Sequence, residues 1–161
     1  IPVQLKVDRT ALSKKFFELS RTYHPDFFTN ESDEKQAEVL EKSAILNKAW
    51  KTFQSSDATI KYVLMEKKLL EEEEKYELPP AFLMEVMDIN ELLMDTDDAE
   101  ATKNIQQTID NLQAEIYEPV VKTVEEYKEG VTTEAELLPV KDYKKKKKYL
   151  DRIRQLLAGM A

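Results

Sequence analysis

No cysteine occurs among the 161 residues, which excludes a disulfide framework, a thiolate zinc site and a cysteine nucleophile together. One histidine leaves any metal site to be built from carboxylates and a single imidazole. The only glycines, Gly130 and Gly159, cannot form a glycine-rich phosphate loop. No run approaches the roughly 20 apolar residues that cross a bilayer, and no basic-then-apolar leader opens the sequence, so a soluble protein is expected. Scarce glycine and few β-branched runs favour helix. Charge is abundant: 35% of residues are charged, with a formal net charge of −8. That excess of acid argues against nucleic-acid and anionic-membrane partners, which are held by clustered Lys and Arg. The exception is the run Lys144 to Lys148. Five neighbours spread around more than a full turn of helix, so the run is expected to be a solvated helix surface.

The one histidine stands in His24-Pro25-Asp26, between two helical patterns. Asp8 is a plausible N-cap for a first helix over about 9 to 23, with Leu12, Phe16, Leu19 and Tyr23 on its apolar stripe. Pro25 biases His24 away from helical geometry, so the tripeptide is expected on a loop. The helix carries the cations Arg9, Lys14, Lys15 and Arg21 against the single anion Glu18. A basic helix in an acidic chain suggests an acidic partner, although Lys and Arg are also simply good helix formers.

A second helix is predicted from Ser32 or Asp33 to about Phe53, with Val39, Leu46, Ala49, Trp50 and Phe53 on one stripe, pairing with the first as an antiparallel hairpin. Ser55-Ser56-Asp57 offers a cap for a shorter helix over about 58 to 68, with Ile60 and Leu64 inward. Glu71 to Glu74 either continue that helix or form a solvated face, and Pro79-Pro80 stops it. The domain boundary is placed there, giving 1–70, a linker at 71–80, and 81–161. The second part reads as helices over about 81–94, 98–128 and 140–158. Pro119 interrupts the middle one, and Gly130 with Val131-Thr132-Thr133 turns into the last.

Enzyme chemistry finds little to work with. His24 has no thiol to activate and no second histidine to share a metal. Glu-x-x-His pairs for a di-metal bundle are missing, since Arg21 stands three residues before His24. No catalytic residue, metal or cofactor is expected. The helix starting at Ala81 is richer in apolar residues than one buried face requires. Phe82, Val86, Ile89 and Leu93 make the core stripe, while Leu83, Met84, Met87 and Met94 lie on another side, beside Asp88 and Glu91. Spacing alone leaves two readings open: burial on two sides, or an adaptable contact surface of the kind methionine provides.

The helix–His24-Pro25-Asp26–helix arrangement resembles a J domain, the module by which DnaJ-type co-chaperones engage a DnaK-type ATPase chaperone. More closely, the chain is similar to the HscB-type J-domain co-chaperones of iron-sulfur cluster biogenesis. The similarity runs through Leu5-Lys6-Val7-Asp8 with Ala11-Leu12, His24-Pro25-Asp26-Phe27-Phe28, Leu46-Asn47-Lys48-Ala49-Trp50, Tyr62-Val63-Leu64, Phe82-Leu83-Met84-Glu85 and Tyr149-Leu150-Asp151.

The resemblance implies an all-α protein, a J domain followed by a three-helix bundle, with no active site of its own. It implies a co-chaperone that binds an IscU-like iron-sulfur scaffold protein and delivers it to an HscA-like chaperone, stimulating that chaperone's ATPase. Its implied chaperone-binding residues are His24, Pro25, Asp26, Arg9, Lys14, Lys15 and Arg21. Its implied scaffold-binding residues are Leu83, Met84, Met87, Asp88, Glu91 and Tyr149, the last standing where the family often has phenylalanine. His24 acting only as a local cap is the structural alternative, and a J protein or helical adaptor for another client the functional one. Bacterial cytoplasm is the expected location, with the mitochondrial matrix as the alternative. Three features depart from the family pattern. Ile1-Pro2 stands where a short Tyr-Phe helix would come just before, so part of the J-domain core is expected to lie uncovered. Thr59-Ile60-Lys61-Tyr62 replaces Arg-Ala-x-Tyr, and Pro139 falls at or before the start of the last helix.

Overall fold

The computed structural model describes residues 2–95 and 97–159. They form helices and connecting turns, with no strand among the described residues. Helix α1 spans Arg9–Thr22 and α2 spans Asp33–Phe53, an antiparallel pair linked through a 3-10 turn at Pro25–Phe28. Asp8 caps α1, its Oδ1 accepting from the N–H of Thr10 and Ala11 at 2.9 and 3.1 Å. Ser32 caps α2 through Lys35 N–H. The hairpin closes on Phe16 stacked over Trp50, ring centroids 4.4 Å apart. The stripe is not fully covered. Leu12, Phe16, Leu19, Leu46, Trp50 and Phe53 line an open apolar cleft of about 320 Å³ that the segment Pro2–Val7 borders.

Helix α3, Ser56–Glu66, is capped by Ser55. It ends there, two residues before a left-handed Lys68 (φ 58°), so the acidic run does not extend it. Helix α4, Pro80–Met94, places Pro80 in its first turn, where no N–H is needed. Helix α5 is Ala99–Tyr117, and Pro119 diverts the chain through a 3-10 turn at Glu118–Val120 before the short α6, Val121–Glu126.

The last helix, α7, runs from Glu134 to Gly159 and contains Pro139. It starts well before the expected 140. Thr133 and Glu136 form a capping box: Thr133 Oγ1 accepts from Glu136 N–H at 3.2 Å, and Glu136 Oε2 accepts from Thr133 N–H at 2.7 Å. So near the N-terminus, Pro139 removes a single intrahelical bond, the one to the Ala135 carbonyl, and the helix absorbs it.

Two hydrophobic clusters hold the molecule. In one, Phe82, Val86, Ile89 and Leu93 of α4 meet Ile105, Ile109 and Leu112 of α5 and Leu150, Ile153 and Leu157 of α7. In the other, Leu5, Leu70 and Ile60, Val63 and Leu64 of α3 pack against Val120, Val124, Tyr127, Leu137, Val140 and Tyr143. This second cluster draws on chain from both sides of 71–80.

The lysine run is not the solvated surface expected of it. Lys144 to Lys147 are half-buried, and Lys148 alone is exposed. Lys147 reaches Asp57 of α3 at 2.6 Å and Asp151 at 3.0 Å. Lys145 lies 3.4 Å from Glu74, which Lys141 holds at 2.7 Å. Lys146 sits 5.7 Å above the Phe82 ring. Glu71 to Glu73 are exposed as expected of a solvated face, whereas Glu74 is half-buried. The hydrogen bond from Lys141 holds its carboxyl below the ordinary range. Because successive lysines point to different sides of α7, Lys145, Lys146 and Lys147 meet the 71–80 segment, α4 and α3 in turn.

Candidate functional surfaces

The His24-Pro25-Asp26 tripeptide is built by three local constraints. Tyr23 N–H closes α1 onto the Leu19 carbonyl, Pro25 holds His24 extended (φ −71°, ψ 125°), and Pro25 then opens the 3-10 turn. His24 caps that turn, its Nδ1 accepting from Asp26 N–H at 3.3 Å. Nδ1 also lies 3.6 Å from Asp26 Oδ2, beyond hydrogen-bond distance. Asp26 has no Lys or Arg partner among the described residues. The local-cap alternative for His24 thus describes part of what it does, and it leaves Asp26 displayed. The Phe27 ring meets His24 edge-on at 5.8 Å. On the other side, Gln36 of α2 donates to the Thr29 and Glu31 carbonyls at 3.2 and 2.9 Å, fixing the exit of the loop.

The four cations of α1 do not form one patch. Arg9 hydrogen-bonds the Gln54 carbonyl at 2.8 Å, tying the start of α1 to the end of α2. Lys15 pairs with Glu18 at 3.2 Å and borders the apolar cleft. Lys14 and Arg21, seven residues apart and so on one face, are exposed and lead toward the loop. Neither has a carboxylate partner among the described residues. The same face carries Phe17, which lies off the core stripe and is exposed.

At the other end of the chain, α4 resolves the ambiguity left by spacing. Its core stripe is buried, while Leu83, Met84 and Met87 are 43%, 65% and 54% exposed. Burial on two sides is therefore excluded. Asp88 and Glu91 are exposed beside them. Tyr149 of α7 is half-buried against the same core, with the Arg152 guanidinium 5.5 Å from its ring centroid. Met94 on α4 and Leu156, two turns beyond Tyr149 on α7, are exposed as well. The Met94 signal was present in the spacing, whereas Leu156 had none until α7 was seen beside α4. Among the described residues no group of three or more His, Cys, Asp or Glu could hold a metal ion, and no helix is long and apolar enough to cross a membrane.

A family model described as the HSCB C-terminal oligomerisation domain matches residues 78–158. The co-chaperone protein HscB homolog of Vibrio parahaemolyticus is 29% identical over 137 residues, covering 84% of this chain and 80% of that protein. That of Photobacterium profundum is 26% identical over 155 residues, covering 96% and 88%. Among solved structures, the human co-chaperone protein HscB superposes with a TM-score of 0.78 at 26% identity, covering 96% of this chain and 75% of the human one. Chaperone HscB from Vibrio cholerae, 21% identical, shares the fold with a TM-score of 0.73, covering 98% and 91%.

Proposed function

This chain belongs to the HscB co-chaperone family, and on that premise we propose that it binds an iron-sulfur scaffold protein through α4 and α7 and delivers it to a DnaK-type, HscA-like chaperone whose ATPase it stimulates. In this reading residues 1–70 act as the J domain, 71–80 as the linker and 81–161 as the scaffold-binding part. Leu83, Met84, Met87 and Tyr149 supply the apolar contact, with Asp88 and Glu91 at its edge. Lys14, Arg21 and the His24-Pro25-Asp26 loop meet the chaperone, where the displayed Asp26 carboxylate pairs with a cation at its catalytic interface. Arg9 and Lys15 add to the positive field rather than to the contact. Scaffold capture and ATP hydrolysis are then coupled: a bound scaffold is presented to the chaperone as hydrolysis closes it, favouring cluster transfer.

The observation that carries this reading is the exposed Leu83, Met84 and Met87 face, an apolar surface on a helix whose own core need is already met by four other side chains. Calorimetric titration of the full chain with the scaffold protein tests it. Leu83→Ala with Met84→Ala is expected to weaken binding by about 10- to 100-fold, the scale of two interface anchors. The thermal midpoint should move little, because both side chains are exposed. Undiminished affinity would end the assignment.

A further inference from the structure

Phe17 and Phe27 are 58% and 71% exposed, an unusual display for phenylalanine on so highly charged a chain. Phe27 belongs to the tripeptide loop. Phe17 sits on α1 within about 60° of Lys14 and Arg21 on the helical wheel, one turn from each. It does not cover the hairpin core, which is the work of Phe16 and Trp50. Its ring instead leans on them from outside, at 5.6 Å from Phe16 and 6.4 Å from Trp50. Arg21 Nε donates to the Phe17 carbonyl at 3.3 Å, keeping that side chain along the same face. The result is an aromatic ring held by its neighbours and bracketed by two cations that lack carboxylate partners among the described residues.

We infer that Phe17 is the apolar anchor of the α1 docking face, and that its occupant is an acidic surface of the ATPase chaperone carrying an apolar hollow between carboxylates. The inference rests on the proposal that this face meets the chaperone and adds what kind of surface it meets. Charge complementarity argues for an acidic occupant, since Lys14 and Arg21 flank the ring on its own helix face without a carboxylate partner among the described residues. Exposed ion pairs alone bind weakly and are screened by salt. A ring already held in place loses little freedom on docking and supplies the salt-insensitive part of the affinity.

The test titrates the full chain against a DnaK-type chaperone from the same organism, reading steady-state ATPase at low and high salt. Phe17→Ala is expected to raise the half-stimulating concentration about ten-fold or more, with the plateau and the salt dependence retained. Lys14→Ala with Arg21→Ala should instead flatten the salt dependence. Phe17→Lys separates anchor from charge: added positive charge lowers the half-stimulating concentration if electrostatics alone hold the face, and raises it if the ring is the anchor. Its aliphatic stem still covers Trp50, so it decides the matter even if Phe17→Ala melts early by circular dichroism. Asp26→Asn runs alongside. If it abolishes stimulation while both Phe17 variants match the native curve, the anchor falls and the chaperone reading stands. If Asp26→Asn stimulates fully, that reading falls and takes the anchor with it.

Discussion

Leu64 of α3 is fully buried in the cluster shared by α3, α6 and α7, touching neither functional surface. Leu64→Ala removes three carbon atoms, about 2.4 kcal/mol of transfer free energy at roughly 0.8 kcal/mol each. Leu5, Val120, Leu137 and Val140 of the same cluster come from three parts of the chain outside α3, which cannot close the gap together, so a cavity term brings the loss to about 3–4 kcal/mol. For a chain of this size that lowers the melting midpoint by roughly 6–16 °C. The informative readout is hydrogen exchange followed segment by segment. Because one core joins α3 to the start of α7, amides of 56–66 and of 137–143 should lose protection together. A loss confined to α3 with 137–143 unchanged, or a shift under about 2 °C, would refute the shared core.

Two pH experiments probe the same junction. Burial pushes the Tyr143 hydroxyl from 10.0 up to about 12. Its folded-state pKa is raised, so its stabilisation is present below about pH 10 and is lost as pH rises toward 12. Urea titrations should show Tyr143→Phe losing stability less steeply than the native chain over that window, while Tyr76, Tyr117 and Tyr127, also raised, keep the remaining slope. Identical alkaline slopes would contradict the assignment. Glu74 has the opposite sign: its carboxyl is held below the ordinary 4.5, chiefly by the Lys141 hydrogen bond. Its contribution is present above that value and lost as pH falls through the folded one. Glu74→Gln should therefore be less stable than the native chain at neutral pH, with the gap closing as pH falls below the ordinary carboxyl value of 4.5. A gap of constant size would mean the lysine contacts at Glu74 contribute nothing.

Much of the fold was legible because its signals are local. Asp8, Ser32 and Ser55 cap the helices that the sequence assigned to them, and Pro119 interrupts where expected. The start of α7 was misplaced because Pro139 looked like a boundary. The Thr133–Glu136 capping box, equally visible in sequence, was the stronger signal. The lysine run could not be read from sequence at all: its meaning depends on Asp57 and Glu74, which are brought to α7 only by the packing of α3 and of the 71–80 segment. Periodicity placed Leu83, Met84 and Met87 on a second stripe but is blind to whether a neighbour covers it. The same limit applies to α1, where counting cations gave a patch of four and the fold leaves Lys14 and Arg21 together on the loop side. Phe17 lies off the core stripe, and only the fold shows how far its ring is exposed.

The chaperone half of the proposed function turns on Asp26, an exposed carboxylate with no Lys or Arg partner among the described residues. Steady-state ATPase of the DnaK-type chaperone should be measured with this chain, with the scaffold protein, and with both, for the native sequence and for Asp26→Asn. The expected result is stimulation by the native chain that the scaffold amplifies beyond the sum of the two alone. Asp26→Asn should abolish that stimulation while binding the scaffold with native affinity. Full stimulation by Asp26→Asn, or a native chain that leaves the chaperone's rate unchanged in the presence of scaffold, would contradict it.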